Sequence, residues 1–342
     1  MNTYTYEHLI GASTPVSELN GFDAGMKFTH RNSPMVMRGL VKSWPVVQEA
    51  RASMYSAVNY LSSFYSGHKV VAWEGPQSTK GRVFYSDDFR ALNCKPVSRR
   101  LDSVLAQLVT LAKIKDAPLL YVATASIDKC LPDFSLQNSL TFGVDSPAAS
   151  IWLGNRTRIS AHYDVPENIA CNVVGRRRFI LFPPEQLENL YIGPVDFTPA
   201  GQAISLVDFH NPDPIKFPNF IKAAKSALVV DLEPGDALYI PSMWWHHVEG
   251  LEACNVLVNY WWNDIDVHVP PSDALLHGLM AIRQLPEEKR IIWKRLFDYY
   301  LFSSDQTFSH IPESMRGVLD ANNGEQIKKL CQFLSNRLDV KN

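Results

Sequence analysis

The chain has 342 residues and a formal net charge of −2 at pH 7, with 46% hydrophobic and 20% charged residues. This length is enough for a large buried core, and the composition is that of an ordinary folded protein rather than a disordered one. The charge balance gives no support for an extended nucleic-acid-binding surface, although Arg176-Arg177-Arg178 forms one short basic run.

The spacing of the cysteines and the length of the apolar segments indicate the cellular compartment of the protein. Five cysteines are scattered along the chain without any Cys-x-x-Cys pair, namely Cys94, Cys130, Cys171, Cys254 and Cys331. This spacing argues against a disulfide framework or a zinc finger, so free thiols in a reducing compartment are expected. The first residues lack a basic segment followed by an apolar run, and no apolar stretch reaches the roughly 18 residues of a membrane span. The sequence therefore predicts a cytoplasmic protein.

The first part of the chain, residues 1–139, has mixed patterning and is predicted to flank a central domain. Its helices are expected from apolar residues at helical spacing, and its strands from short runs rich in Val, Leu and Tyr. The predicted elements are, in chain order, a strand at 34–40, a helix at 46–66, a strand at 70–73, a helix at 99–114 and a strand at 119–123.

Residues 140–269 are rich in short β-type runs separated by Gly, Pro, Asn and Asp. Eight strands are predicted, at 149–153, 159–164, 169–174, 178–182, 228–232, 237–240, 245–249 and 254–262. This order fits a mainly β fold with α elements, a double-stranded β-helix of the jelly-roll or cupin type. The segment 183–218 holds seven prolines, which is too many for a regular sheet, and is predicted to be an ordered rim loop with a short helix near 184–190.

The last part, residues 270–342, is predicted to be helical. Helices are expected at 273–284, after Pro286 and at 324–338, each with one apolar face. These helices either cap the barrel or pair with a second copy of the chain. Because they offer more apolar surface than a cap needs, and two-fold pairing commonly buries such a surface, we predict a homodimer. The candidate interface residues are Leu276, Leu279, Ile292, Leu296 and Phe297.

The most informative motif is His162-Tyr163-Asp164, followed about eighty residues later by two adjacent histidines. Residues i and i+2 of a strand point to the same face, so His162 and Asp164 can reach one metal ion, and one distant histidine completes the set. Two histidines and one carboxylate with open positions opposite them form the facial triad of non-haem Fe(II) oxygenases.

The third ligand is a choice between His246 and His247. In an extended segment, His246 shares a face with Val248, whereas His247 shares a face with Glu249. The apolar face of a strand is the one that usually points inward. We therefore predict His246 as the third metal ligand, with His162 and Asp164.

A longer set of motifs resembles the JmjC/cupin-8 family of 2-oxoglutarate oxygenases. The resemblance spans roughly residues 30 to 340 and is most specific at 140–265. Within the family, the chain is most similar to the branch of the asparaginyl hydroxylase that acts on hypoxia-inducible factor. The segments that carry the resemblance are 37–40, 44–45, 162–164, Asn168, 175–184, 234–241 and 244–248.

The resemblance implies a second anchor for 2-oxoglutarate, a cation that binds its far carboxylate. Arg177 is the candidate, because strand parity places it on the face of Phe179 and Leu181, and a buried guanidinium needs an anion. The family often has Lys at this position, so an arginine here leaves open that an acid other than 2-oxoglutarate binds. The alternative is that Arg176, Arg177 and Arg178 all face solvent. The resemblance adds Tyr121, Asn168 and Asn259 as co-substrate contacts.

The implied activity is that of an oxygenase that uses Fe(II) and 2-oxoglutarate to hydroxylate a protein side chain, an RNA base or a small molecule. Two alternatives stay open at this point: a metal-dependent cupin enzyme that does not use 2-oxoglutarate, and a non-catalytic cupin-like binding protein. The tryptophans near the motifs, among them Trp152 and Trp261, are predicted to be core residues without a substrate role.

Overall fold

The computed structural model of the protein describes residues 5–19, 22, 28, 31–263, 269–319 and 324–338. The chain divides into two compact units, Met1–Asp264 and Ile265–Asn342, and each is described by itself.

The described residues of the first unit form two sheets, of six and nine strands. The strands are β1 (Thr14–Pro15), β2 (Ser17–Glu18), β3 (Met35–Met37), β4 (Lys69–Gly75), β5 (Arg82–Val83), β6 (Lys95–Arg100), β7 (Leu119–Ser126), β8 (Ala148–Gly154), β9 (Arg158–His162), β10 (Glu167–Val174), β11 (Arg177–Phe182), β12 (Leu228–Leu232), β13 (Ala237–Ile240), β14 (Trp245–Gly250) and β15 (Asn255–Trp262). The spatial orders are β1-β12-β11-β14-β9-β5 and β2-β3-β13-β10-β15-β8-β7-β4-β6.

The strands from β8 to β15 contribute four neighbouring strands to each sheet, and their pairings are antiparallel. These eight strands coincide with the eight predicted ones to within two residues at each end. The predicted fold class, a mainly β cupin or jelly-roll core with helices, is confirmed.

Alternation along β11 shows how the sequence fills the space between the two sheets. Phe179 and Leu181 belong to the cluster inside the barrel, with Val248 from β14. Ile180 and Phe182 point the other way, into a cluster that also contains residues of the segment between β11 and β12. This period of two is what a half-buried strand requires, and it decides which side chains of each strand can face the site.

The N-terminal flank packs helices on the outside of the nine-stranded sheet. The predicted helix at 46–66 is wrong as a single element, because Ser53 is extended and caps a second helix, giving α2 (Pro45–Ala52) and α3 (Met54–Ser63). The predicted helix at 99–114 is shorter, α4 (Leu101–Leu111), because β6 occupies the residues before it. A one-turn helix, α5 (Ile127–Cys130), follows β7.

The proline-rich segment between β11 and β12 covers the outer face of the six-stranded sheet. It begins with a single 3-10 turn at Pro184–Gln186, shorter than the predicted helix near 184–190. It ends with α6 (Phe220–Lys225), which contacts the N-terminal helix α1 (Tyr6–Ala12). Buried aromatic residues such as Phe209 and Phe220 tie it to β11 and β14.

The second unit is helical, as predicted. Its helices are α7 (Pro271–Ile282), α8 (Glu287–Leu301) and α9 (Gly324–Leu338), and the last coincides with the predicted helix at 324–338. None of the described residues of these three helices is buried in the chain. Phe308, on a short turn after α8, is the residue against which Tyr299 and Tyr300 pack.

The first compact unit contains both the predicted flank at 1–139 and the predicted barrel at 140–269 apart from its last residues. The division at 139 and the boundary at 270 stay predictions. Residues 1–4, 20–21, 23–27, 29–30, 264–268, 320–323 and 339–342 of these segments lie outside the described residues. No helix in the described part of the chain combines the length and apolar character needed to cross a membrane.

Candidate functional site

Two neighbouring strands bring the predicted metal ligands together. β9 ends at His162, Asp164 follows two residues later, and His246 on β14 is the register partner of His162. One ligand atom from each residue lies within 4.8 Å of the others. The histidine rings are 4.3 Å apart, and Nε2 of His246 is 3.5 Å from Oδ2 of Asp164. Three donors at this spacing can reach a common metal ion, which is compatible with the facial triad that the motif predicts.

Backbone carbonyls orient both imidazoles. Nδ1 of His162 lies 2.9 Å from the carbonyl oxygen of Ser160, and Nδ1 of His246 lies 3.0 Å from that of Trp244. A protonated Nδ1 donating to each carbonyl leaves Nε2 with a free lone pair, as metal-binding histidines commonly have it. Burial and the neighbouring His246 lower the pKa of His162 to about 4, so this ring is neutral at pH 7 and suited to bind a cation.

The third donor is a carboxylate. Burial opposes the ionisation of Asp164, but the adjacent His246 and His162 outweigh burial and lower the pKa of this carboxyl. A carboxylate oxygen and two imidazole nitrogens make a donor set that suits Fe(II) and leaves coordination positions open. The residues present therefore fit the metal that the motif predicts, while their role as ligands stays a prediction.

His247 points to the opposite face of β14. Its ring packs on Phe209 at 4.7 Å, and its Nε2 lies 2.8 Å from Oε1 of Glu249. The same oxygen accepts from Nε2 of His210 at 2.7 Å, and the other oxygen accepts from the hydroxyl of Tyr6. Because Nε2 of His247 is committed to Glu249, the structure keeps this histidine away from the predicted triad.

A buried arginine without a partner lies beside the triad. Arg177 is 3% exposed, and its Nε has no hydrogen-bond partner among the described residues. It lines the same cavity as the triad, here called the metal cavity. Burial lowers the pKa of Arg177 to about 10, so the guanidinium remains charged at pH 7. A buried charge with no anion beside it indicates that an anion belongs in this cavity.

The neighbouring arginines are satisfied by the protein itself. Arg176 pairs with Glu252 at the surface, and Arg178 makes a bidentate pair with Asp231. The alternative in which all three arginines face solvent is therefore wrong, because Arg177 faces the barrel interior. The short basic run is also not a free positive patch, since two of its members are already paired.

The other predicted co-substrate residues also line the metal cavity. Tyr121 comes from β7, Asn168 from β10 and Asn259 from β15. Oδ1 of Asn259 accepts from Nε1 of Trp152 at 2.7 Å, and its Nδ2 donates to Oδ1 of Asn168 at 3.4 Å. The structure thus brings these three residues and Arg177 to one cavity, from both sheets, although their binding roles stay predictions.

A second cavity adjoins the metal cavity on the side of the proline-rich segment. It shares Tyr121, Trp152, Ile159, His162, Asp164 and Trp261 with the metal cavity and adds Ser160 and residues 199–201. Sequence reasoning missed Ser160 and assigned Trp261 to the core. The period of two was the available signal for Ser160, because it shares a strand face with His162.

Comparisons with known proteins agree with this geometry. A family model described as a cupin-like domain matches residues 22–268. Human tRNA wybutosine-synthesizing protein 5 is 30% identical over 177 residues, 46% of this chain and 49% of that protein. Human HSPB1-associated protein 1 is 34% identical over 124 residues, 35% and 24% of the two chains. Jumonji C domain-containing protein 5 of Drosophila melanogaster is 36% identical over 138 residues, 40% and 32% of the two chains.

The chain thus spans about half or less of the length of these curated relatives. The family model, in contrast, covers well over half of this chain and includes the whole eight-stranded barrel with its triad. The predicted JmjC/cupin-8 resemblance is confirmed at the level of the family, and the asparaginyl hydroxylase branch stays a prediction. The chain belongs to the cupin-like domain family that includes the JmjC oxygenases.

Proposed function

We propose that this protein is an Fe(II)- and 2-oxoglutarate-dependent dioxygenase that hydroxylates a substrate at the mouth of its barrel. The observation that carries the proposal is the unpartnered Arg177 in the same cavity as the His162, Asp164 and His246 donors. A metal triad alone suits several cupin chemistries. A metal triad facing a buried cation suits an anionic co-substrate that bridges the two.

The residues have distinct roles in this proposal. His162, Asp164 and His246 would hold Fe(II), which when bound would supply oxygen activation coupled to oxidative decarboxylation of 2-oxoglutarate to succinate and CO2. The guanidinium of Arg177 binds the far carboxylate of the co-substrate through its planar pair of N–H groups. Tyr121 is buried beside Arg177 and can donate its hydroxyl to the same carboxylate.

Asn168 and Asn259 fix the wall on which the co-substrate lies. The hydrogen bond from Trp152 orients the amide of Asn259, whose Nδ2 then faces Asn168. The remaining lining is apolar, with Ile159, Phe179 and Leu257 among its members. An apolar lining keeps water from the reacting groups and strengthens the electrostatic pairing of Arg177 with a carboxylate.

The substrate class is a protein side chain, an RNA base or a small molecule. A relative named for tRNA wybutosine synthesis supports RNA as one of these classes, and this chain covers about half of that relative. Hydroxylation of that substrate follows from the family and the donor set, while fold likeness by itself does not select a substrate.

Turnover of 2-oxoglutarate to succinate, with and without Fe(II), is the direct test. We expect succinate release that requires Fe(II), even before the substrate is known, at a slow uncoupled rate that the substrate then increases. Succinate release that is absent with iron-loaded protein, combined with undetectable 2-oxoglutarate binding, contradicts the proposal. That result favours a cupin enzyme in which Arg177 binds another anion. The family often has lysine at this position, so the arginine here is compatible with a different anion.

Assembly and location complete the proposal. We propose a homodimer formed through α7 and α8, because Leu276, Ile292 and Leu296 on them are exposed in the chain. We also propose a cytoplasmic location, since all five cysteines are free thiols and four of them are buried without a disulfide partner.

A further inference from the structure

The carboxylate of the predicted triad lies outside the strand that carries the first histidine. β9 ends at His162, and Asp164 belongs to the connection 163–166 that leads into β10. The strand pairing that sets His162 opposite His246 therefore does not extend to Asp164. The backbone of this connection is held instead by the residues that precede β14.

Two hydrogen bonds join the connection 163–166 to those residues. The amide of Met243 donates to the carbonyl oxygen of Asp164 at 2.9 Å. The hydroxyl of Ser242 donates to the carbonyl oxygen of Val165, the next residue along the chain. Donors from two consecutive residues thus hold two consecutive carbonyls, and one of these carbonyls belongs to a predicted metal ligand.

The donor residues form a tight turn that also contacts the third predicted ligand. The amide of Trp244 donates to the carbonyl oxygen of Pro241 at 3.2 Å, which closes a four-residue turn, here called the 241–244 turn. Nε1 of Trp244 donates to the carbonyl oxygen of Asn32 and fixes the indole ring. The carbonyl oxygen of Trp244 lies 3.0 Å from Nδ1 of His246. One turn therefore contacts the backbone of one predicted ligand and the ring of another.

Met243 adopts a backbone conformation that methionine rarely takes. Its φ is +66°, in the left-handed region where the third residue of a turn is usually glycine or asparagine. Packing of the side chain does not explain this conformation, because Met243 is 42% exposed. Unfavourable backbone conformations of this kind cluster at functional sites. Here the conformation belongs to the residue whose amide holds Asp164.

We propose that the 241–244 turn positions the triad, because the hydroxyl of Ser242 and the amide of Met243 hold Asp164 where its carboxylate and the two imidazoles reach one metal ion. Ser242 and Met243 are thus positioning residues that act through Asp164 and are not ligands. The inference rests on the proposed function in one respect, namely that the triad binds a metal ion. Metal affinity then depends on the geometry of this turn and not on the side chain of Met243.

The first set of variants tests the hydroxyl of Ser242. Ser242→Ala should weaken Mn(II) binding about tenfold, as the loss of a group that orients a metal ligand commonly does, whereas Ser242→Thr keeps the hydroxyl and should stay within about twofold of the unmodified chain. Ser226→Ala is the matched control, since Ser226 is also partly buried and donates to a backbone carbonyl, that of Ala223 in α6. It should leave the Mn(II) affinity unchanged. Electron paramagnetic resonance of free Mn(II) in titrations of the full chain measures the dissociation constant.

The second set tests the backbone of Met243. Met243→Gly keeps the amide and adopts a positive φ readily, so the Mn(II) affinity should stay within about twofold. Met243→Val places a β-branched residue at a positive φ, which shifts the turn, and should weaken Mn(II) binding about tenfold. Lys80→Val is the matched control, because Lys80 is also exposed, has a φ of +48° and follows the short helix Gln77–Thr79. It should destabilise the chain in urea to a similar extent and leave the Mn(II) affinity unchanged.

A merely structural role would lower stability without a specific loss of metal affinity, so urea unfolding is measured on every variant. Unchanged Mn(II) affinity in Ser242→Ala and Met243→Val overturns the inference. Equal losses in Met243→Gly and Met243→Val, or losses of the same size in the two controls, overturn it as well. A chain that binds Mn(II) but shows no binding of 2-oxoglutarate in calorimetry refutes only the proposed function, whereas an unmodified chain that does not bind Mn(II) refutes both.

Discussion

The two faces of β14 each carry a histidine, and the two histidines differ in the groups that their rings contact. On the inner face, His246 has an Nε2 aimed at Asp164 and His162, beside the unpartnered Arg177. On the outer face, His247 is bound to Glu249, whose carboxylate also accepts from His210 and Tyr6. Nε2 of the inner histidine thus faces Asp164 beside an unpartnered arginine, whereas Nε2 of the outer histidine is bound to a carboxylate, although the buried Nδ1 of that outer ring has no partner among the described residues.

The hydrogen-bond partners of a histidine on β14 therefore indicate its role better than the residue type does. The outer Glu249 cluster ties three segments together: α1 through Tyr6, the proline-rich segment through His210, and β14 itself. Both carboxylate oxygens of Glu249 have hydrogen-bond partners, and buried hydrogen bonds of this kind rigidify a fold. A buried polar group without a partner needs an explanation, and for Arg177, which lines the metal cavity, the proposed anionic co-substrate supplies one.

The largest expected effect is on metal binding. His246→Ala should reduce Fe(II) affinity by more than about 100-fold, beyond what removing a partner of a ligand usually does. His162→Ala and Asp164→Ala should act alike, whereas His247→Ala, the matched variant on the outer face, should largely keep the metal. Metal content after desalting, measured on the four variants, decides this. Retention of metal by His246→Ala with loss in His247→Ala would reverse our assignment of the two faces.

The next effect concerns the co-substrate and compares two adjacent arginines. Arg177→Ala should weaken 2-oxoglutarate binding about 100-fold, ~3 kcal/mol, because it leaves a buried carboxylate unpaired. Arg178→Ala is the control, since that side chain is already paired with Asp231 away from the cavity. Titration of 2-oxoglutarate into the Mn(II)-substituted variants measures both. An unchanged affinity in Arg177→Ala would remove this arginine from the co-substrate site.

A smaller effect is expected on stability, from the outer cluster. Burial raises the pKa of Glu249, but hydrogen bonds from His210 and His247 outweigh burial and hold it well below the usual 4.5. A depressed folded pKa contributes stability that is complete above the unfolded pKa and is lost as the pH falls below it. Glu249→Gln should therefore cost about 2 kcal/mol at pH 7 and flatten the loss of stability below pH ~5.

Urea unfolding as a function of pH measures the effect of Glu249→Gln. Its control is Glu252→Gln, because Glu252 pairs with Arg176 at the surface and such exposed pairs contribute under about 1 kcal/mol. Equal costs for the two substitutions, or parallel pH profiles for Glu249→Gln and the unmodified chain, would mean that the buried carboxylate does not stabilise the outer cluster.

The barrel could be predicted from the sequence because its strands largely follow one local rule, the alternation of inward and outward side chains, with register shifts in the β9–β14 and β10–β15 pairings as exceptions. The alternation of Arg177, Phe179 and Leu181 against Ile180 and Phe182 is visible in the sequence and holds in the structure. The same rule separated His246 from His247. It does not depend on distant residues, so no tertiary information was needed to choose the inward face.

Other features depend on contacts that the sequence does not display. The break at Ser53 between α2 and α3 has no Gly or Pro to mark it, so the periodic pattern ran through it. The bonds of Glu249 to Tyr6 and His210 join residues 243 and 39 positions apart. The second cavity, beside the metal cavity, is lined by both Trp261 and residues 199–201, and neither local pattern nor composition indicates that they lie close together.

The last comparison is between the barrel and the C-terminal unit. Substitutions in the C-terminal unit are expected to have the smallest effect on activity. Leu276, Ile292 and Leu296 are 38%, 57% and 41% exposed, although their spacing is that of a buried helix face. An apolar surface of this kind is commonly buried by a second copy of the chain, so Leu296→Glu should give a monomer that still binds metal. Light scattering measures the mass, and Lys294→Glu on the exposed part of α8 is the control, expected to remain dimeric. A mass near 38.6 kDa for the unmodified chain would mean that these residues are not a dimer interface.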